Sequence, residues 1–297
     1  MKPASATLEP SLDSMPRMPS WVTSARAETL EDVAFVSGAA LATLHHVVGR
    51  GDVPHALLRA RLALRAAEAC VVLSGRPERA GDLRDAVHFL RPGDQPGPAG
   101  AVYLNWLRAV ARPISVKALH KALPEFTPEQ IAVWLDAGQG SPVGRAARVL
   151  VAVLADHPRN EDAALILANA ALAQSLGWKY VLPLLAMGLK HRDLRAQGED
   201  LHVACHKALI SSIRAALPVA IDLTRRTDHL RAVTPKLRAK RAGDAVALFL
   251  TRDALSPSIA LAELMSDRAA RRLCDRLVAL GAVRELTGRD TFRLYGV

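Results

Sequence analysis

Aromatic side chains are scarce: Phe, Trp and Tyr together make up 4% of 297 residues, although half of the chain is hydrophobic in the wider sense. Ala, Leu and Arg dominate instead, which favours helices packed through small and aliphatic side chains over a β-sandwich. Cysteine is almost missing too. Cys70, Cys205 and Cys274 stand far apart inside helical apolar patterns, which excludes a disulfide framework or a zinc knuckle and fits a reducing cytoplasm. No run approaches the roughly twenty apolar residues that cross a bilayer. The most apolar stretch, 163–176, is broken by Asn169 and Gln174 and reads as a buried helix. The N-terminus also lacks the apolar core of a signal peptide. These absences together predict a cytoplasmic protein with no membrane contact.

Catalytic signatures are missing as well. There is no nucleophile elbow, no glycine-rich dinucleotide fingerprint and no HExxH zinc motif. The segment 91–100 (RPGDQPGPAG) holds three prolines and three glycines and reads as the one conspicuous loop of the helical region, but it lacks the GK[ST] ending of a phosphate loop. Glu199, His202 and His206 share one face of a helix, yet zinc would need a further ligand. They read as ordinary surface or half-buried histidines beside a carboxylate. His45 and His46 cannot face the same way on a helix. The expectation is therefore a non-enzyme with no catalytic residue, no metal and no cofactor.

What the sequence has in excess is positive charge. The formal charge is +10 and the pI about 10.1, so an acidic partner is expected and nucleic acid is the commonest one. An arginine-rich coding bias would raise the same totals without functional meaning. The charge concentrates between Thr224 and Arg241, where Arg225, Arg226, Arg231, Lys236, Arg238, Lys240 and Arg241 face Asp228 alone, a net +6. That stretch either tracks a DNA backbone or is a solvated linker. The basic residues Arg59, Arg61 and Arg65 upstream read as a solvated helix face.

In order, residues 1–28 read as a disordered tail rich in Pro, Ser and Met. Helices are predicted at 31–48, from Pro54 to Leu73, at 83–90, through 102–111 with Tyr103 and Trp106 in the core, and from a capped Thr127-Pro128-Glu129-Gln130 start to Leu135 before Gly138-Gln139-Gly140. Others follow at 143–156, 160–176, 179–190 and 198–230. The fold class is thus mainly α: a helical domain over 29–230, a basic connector over 231–242, and a distinct terminal module over 243–297.

That terminal module carries the most specific pattern. A short helix follows Ser256. A longer helix then opens on Ser266, whose hydroxyl is placed to cap it, with Asp267 at the positive end of the helix dipole. Ala270, Leu273, Cys274, Leu277 and Leu280 give it one apolar face, and Arg268, Arg271, Arg272 and Arg276 fall off that face. Gly281 ends it. Val283–Leu286 and Thr291–Tyr295 are β-prone runs around a turn at 287–290. This order resembles the winged helix-turn-helix regulators, the GntR-like ones in particular, through Ser266, Ala269, Ala270, Arg271, Arg272, Leu277, Gly281 and Val283. The resemblance implies double-stranded DNA as partner, with Arg268, Arg271 and Arg272 in the major groove and Arg284, Arg289 and Arg293 on the wing at the backbone. The helical domain would then dimerise or sense a ligand. Winged helices also serve as protein-docking modules.

Two other resemblances bear on the rest. The stretch 149–178 is similar to the core helix pair of Fic-type proteins through His157-Pro158. Arg159 stands where that family has phenylalanine, and the glycine-rich anion nest is missing, so the resemblance implies at most an inactive scaffold. Taken whole, the chain resembles an uncharacterised alphaproteobacterial family of unknown function. That resemblance is carried by 83–100, 176–189, 230–240 and 266–296, and it implies no activity.

Overall fold

The computed structural model describes residues 15–24, 29–137 and 140–297. Within them the chain forms helices α1 (Ser20–Ser24), α2 (Leu30–Val48), α3 (His55–Leu73), α4 (Ala80–His88), α5 (Gly97–Ala111), α6 (Val116–Ala122) and α7 (Pro128–Asp136). These are followed by α8 (Pro142–Asp156), α9 (Glu161–Ser175), α10 (Leu184–Gly188), α11 (Gly198–Val233), α12 (Ala242–Phe249), α13 (Pro257–Ala260) and α14 (Asp267–Ala279). Two two-residue strands, β1 (Arg284–Glu285) and β2 (Tyr295–Gly296), pair antiparallel. The protein is mainly helical, as its composition requires.

Local chemistry explains several helix starts. Thr29 accepts from the Asp32 amide while the Asp32 carboxylate accepts from the Thr29 amide, and Thr127 and Gln130 form the same reciprocal box before Pro128. Ser115 and Ser141 cap α6 and α8 through their hydroxyls. The core centres on α9, where every residue from Ala163 to Ala173 is buried. α8 packs along it, α2 lies on α11, and α3 lies on α5. Small side chains permit these close approaches. Gly188 of α10 is the extreme case, since a Cβ there would sit 2.5 Å from the Ala208 carbonyl oxygen of α11.

Several expectations are corrected. The Pro/Gly loop ends early, at Pro96: proline is tolerated in a first turn, so α5 starts at Gly97 with Pro98 inside it. Only Leu184–Gly188 of the stretch 179–190 is α-helical. The helices α6 and α12 were not foreseen. Residues 1–14 and 25–28 of the expected tail lie outside the described residues, as do Gly138 and Gln139, but Ser20–Ser24 is helical and Met15 and Val22 are buried. α11 meets the length and apolarity of a membrane span over its most apolar window, with 44% of that window buried. It packs against α2, α3, α8 and α10 and carries Glu199, Asp200, Lys207, Arg214 and Asp222, so it is a core helix here.

Of the basic residues of α3, Arg59 and Arg61 are half-buried rather than solvated, whereas Arg65 is exposed as expected. Arg59 Nε donates to the Val110 carbonyl at 2.9 Å and its guanidinium stacks on Tyr180, 3.9 Å from the ring centre. Arg65 donates to the Ala215 carbonyl, and Arg61 to that of Val297. Arg61 also meets the carboxylate of Asp253, which Arg84 of α4 holds from the other side at 2.6 Å. Asp253 is fully buried. Residues 243–297 pack against the helical region. They sit on α3 and α4 through this double ion pair, and on α11 through a hydrogen bond between His229 Nε2 and the Leu280 carbonyl.

Candidate nucleic-acid interface

The terminal helix places its arginines by simple periodicity. Ala270, Leu273, Cys274 and Leu277 are buried, so Arg268, Arg271, Arg272 and Arg276 are exposed. Steps of four put Arg268, Arg272 and Arg276 along one side. None of those three has an acid partner among the described residues. Arg271 lies on the other side, paired with Asp267 at 2.9 Å. It faces a cleft of about 470 Å³ shared with Arg91, Arg293, Asp275, Tyr295 and Phe89.

Ser266 stands at the capping position with extended backbone, φ −64° and ψ 152°, but its hydroxyl makes no capping hydrogen bond. The expected cap is thus present in backbone only, and the residue is left exposed. Gly281 does take the left-handed conformation that ends the helix, at φ 67°.

The connector divides in two. Arg225 and Arg226 are held by Asp222 at 2.5 and 2.6 Å, one turn earlier on α11, and Arg231 is held by Asp228 at 2.9 Å. Arg241 takes a left-handed backbone (φ 64°), pairs with Asp244 and donates to the Glu263 carbonyl. These four serve the fold. Lys236, Arg238 and Lys240 have no acid partner among the described residues. Arg238 and Lys240 line a groove of about 570 Å³ together with Arg272 and Arg276, over an apolar floor that includes Leu237 and Met265. Residues over thirty positions apart in sequence thus form one cationic surface.

The wing arginines are arranged differently. Arg289 forms a bidentate pair with Asp85 of α4, at 2.6 and 2.8 Å, and also donates to the Phe292 carbonyl. Arg293 folds back on Asp290 and on the Arg289 carbonyl. Arg284 is exposed at its surface, and partial desolvation together with its neighbours Arg226 and Arg61 depresses its pKa. The strands are shorter than expected because Glu285 accepts from the Thr287 and Gly288 amides at 2.7 Å, which draws the chain off the ladder into a loop. A bridge to Leu255 adds a second backbone partner for Tyr295.

Of the histidines that the sequence singles out, His157 and His206 are packed into the fold. His157 packs edge-on against Phe126 and Trp134, with ring centres 5.0 and 5.5 Å away. His206 is buried, with Nδ1 2.6 Å from the Ser37 hydroxyl, and burial holds its pKa below the ordinary histidine range. Among the described residues, no group of three His, Cys, Asp or Glu is placed to hold a metal ion. All three cysteines are buried free thiols, and burial raises Cys205 and Cys274 to about 12.

Sequence reading missed Asp253, Arg84 and Asp85. No periodic signal marks them, since each acts across a tertiary contact rather than along a helix. That contact joins the helical region to the terminal segment, and a comparison with known families treats the two in the same way: one family runs from residue 7 to residue 297. The chain belongs to that family, whose description is protein of unknown function (DUF1403). No curated protein matches the chain. Family membership therefore spans the bundle, the connector and the terminal segment as one unit, and it assigns none of them a chemistry.

Proposed function

We propose that this chain is a cytoplasmic, regulator-like protein that binds double-stranded DNA through its terminal segment. In this reading α13 and α14 act as a helix-turn-helix, the β1–β2 hairpin is the wing, and the helical region dimerises or senses a ligand. The observation that carries it is the groove where Arg238 and Lys240 of the connector meet Arg272 and Arg276 of α14, four cations with no acid partner among the described residues. Such a cluster is repulsive by itself and is relieved by a polyanion. The emphasis shifts within the expected set. Arg268, Arg272 and Arg276 are free to enter a groove, whereas Arg271 and Arg289 must first leave Asp267 and Asp85.

The test is duplex binding measured against salt. Counterion release predicts that log K falls linearly with log salt, and that R272A/R276A reduces this slope by about two. Binding that is undetectable at low salt, or unchanged in the double variant, would remove the proposal.

A second reading has an observation of its own. The Arg289–Asp85 pair and the Asp253 clamp seat the terminal segment on its own helical region. That is how a docking module in a non-catalytic scaffold or adaptor would sit, a Fic-like one among them. In that case the same salt titration gives no DNA binding at any ionic strength.

A further inference from the structure

The cleft beside Arg271 lies where the helical region meets the terminal segment. Its walls come from residues 89–91 after α4, from the start of α13, from α14, and from the chain that returns to β2. Its volume of about 470 Å³ is that of a small-molecule site. Three kinds of group meet in it. Arg91, Arg271 and Arg293 bring guanidinium groups. The Arg91 side chain has no acid partner among the described residues. Arg271 and Arg293 pair with Asp267 and Asp290, but both pairs are exposed and close in sequence, and such pairs are weak and readily exchanged. Aromatic rings form the second kind. Phe89 and Phe292 stand edge to face, with ring centres 5.9 Å apart. Phe292 is 70% exposed and holds a left-handed backbone, φ 53°, which a bulky residue rarely adopts. The third is a carboxylate. Asp275 has no cation partner among the described residues and receives a long contact, 3.5 Å, from the Tyr295 hydroxyl.

We propose that this cleft binds a free nucleoside monophosphate. The phosphate accepts charge-assisted hydrogen bonds from Arg91 and Arg271. The base lies against Phe292 and Phe89, and the ribose hydroxyls donate to Asp275. The three groups together exclude simpler ligands. Inorganic phosphate would leave both rings bare, and an organic cation would face the guanidinium groups. An aromatic acid without hydroxyls would leave Asp275 unbonded. Duplex DNA is a poor occupant, because its bases are stacked inside the helix and out of reach of the rings. The site depends on no part of the DNA reading, and a titration without duplex leaves that reading untouched if it fails.

The experiment is calorimetric titration of the full chain with AMP, GMP, CMP and UMP, beside the matching nucleosides, ribose 5-phosphate and inorganic phosphate. At least one nucleotide should bind saturably, with its nucleoside and ribose 5-phosphate about tenfold weaker or worse. Arg91→Ala should weaken that nucleotide by about tenfold or more. Phe292→Gly should weaken it to a similar degree while leaving the thermal midpoint near that of the parent, because glycine takes the left-handed backbone at no steric cost. Should Phe292→Gly prove unstable, Arg91→Ala alone decides. Saturable binding by none of the nucleotides, binding unchanged in Arg91→Ala, or ribose 5-phosphate binding as well as the nucleotide would overturn the assignment. Saturation by a single-stranded oligothymidylate, with no mononucleotide bound, would give the cleft to nucleic acid and overturn it equally.

Discussion

Asp253 presents one fully buried carboxylate to two guanidinium groups, Arg61 and Arg84, whose side chains are each 16% exposed. Burial alone would raise its pKa, but the Arg84 hydrogen bond and both positive charges outweigh that and lower it. Asp253→Asn keeps the volume and removes the charge, so two buried cations lose their counterion. The loss should be about 3–5 kcal/mol, read as a lowered urea midpoint. Surface pairs such as Arg231–Asp228 should contribute far less.

His88 stands beside this cluster with its Nε2 out of contact with water and without a partner among the described residues. Burial lowers its pKa to about 4, against about 6.5 in an unfolded chain. The unfolded state therefore binds the proton more readily. His88 contributes its full stabilisation above about pH 6.5 and loses it as the pH falls towards 4. The span corresponds to on the order of 2 kcal/mol once partial exposure of the ring is allowed for. Asp253, with its pKa depressed, loses its own contribution only at still lower pH. His88→Phe keeps the edge contact with Tyr103 and removes the titration. Its urea midpoint should change less than that of the parent between pH 7 and pH 4.5.

Among the elements, the crossing of α10 over α11 shows how little room the bundle leaves. Gly188 is helical, so its backbone needs no glycine, yet a methyl group there would strike the Ala208 backbone at 2.5 Å. Gly188→Ala should cost about 1–3 kcal/mol or more by forcing the helices apart, visible as a lower thermal midpoint. At Gly38, with nothing within 4 Å, alanine should instead stabilise by a few tenths of a kcal/mol to about 1. Asn169 fixes the same region. Its amide donates to the Leu165 carbonyl and its oxygen accepts from the Leu185 amide, which pins the start of α10 onto α9. The polar interruption read in the most apolar stretch of the sequence is thus a structural cap, and no periodic analysis could have named its partner.

Across the whole molecule, the terminal segment is latched. The Arg289–Asp85 pair spans 204 residues and is partly exposed, so it contributes roughly 0–1 kcal/mol to folding. Its effect is on which surface is free. If the DNA reading holds, Asp85→Asn releases Arg289 to the duplex backbone. Affinity should rise and the salt slope should steepen by about one, while Arg289→Ala leaves the slope near that of the parent. Anisotropy titrations at several salt concentrations measure both. Equal slopes in all three proteins would show that the wing tip never reaches DNA.

The amino-acid order by itself determined the helical class, the capping box at Thr127, the buried run of α9, the amphipathic α14 and its glycine stop. These follow from local spacing and capping chemistry, which act within a turn or two. It also determined which arginines leave the apolar face of α14, because 3.6-residue periodicity alone fixes that. Only the tertiary structure decided which cations are free. Arg61, Arg84 and Arg289 are neutralised by carboxylates that folding brings from 169 to 204 residues away, and Arg238 and Lys240 are set beside Arg272 and Arg276. Charge is additive along a sequence but is felt through space, over distances that only packing sets.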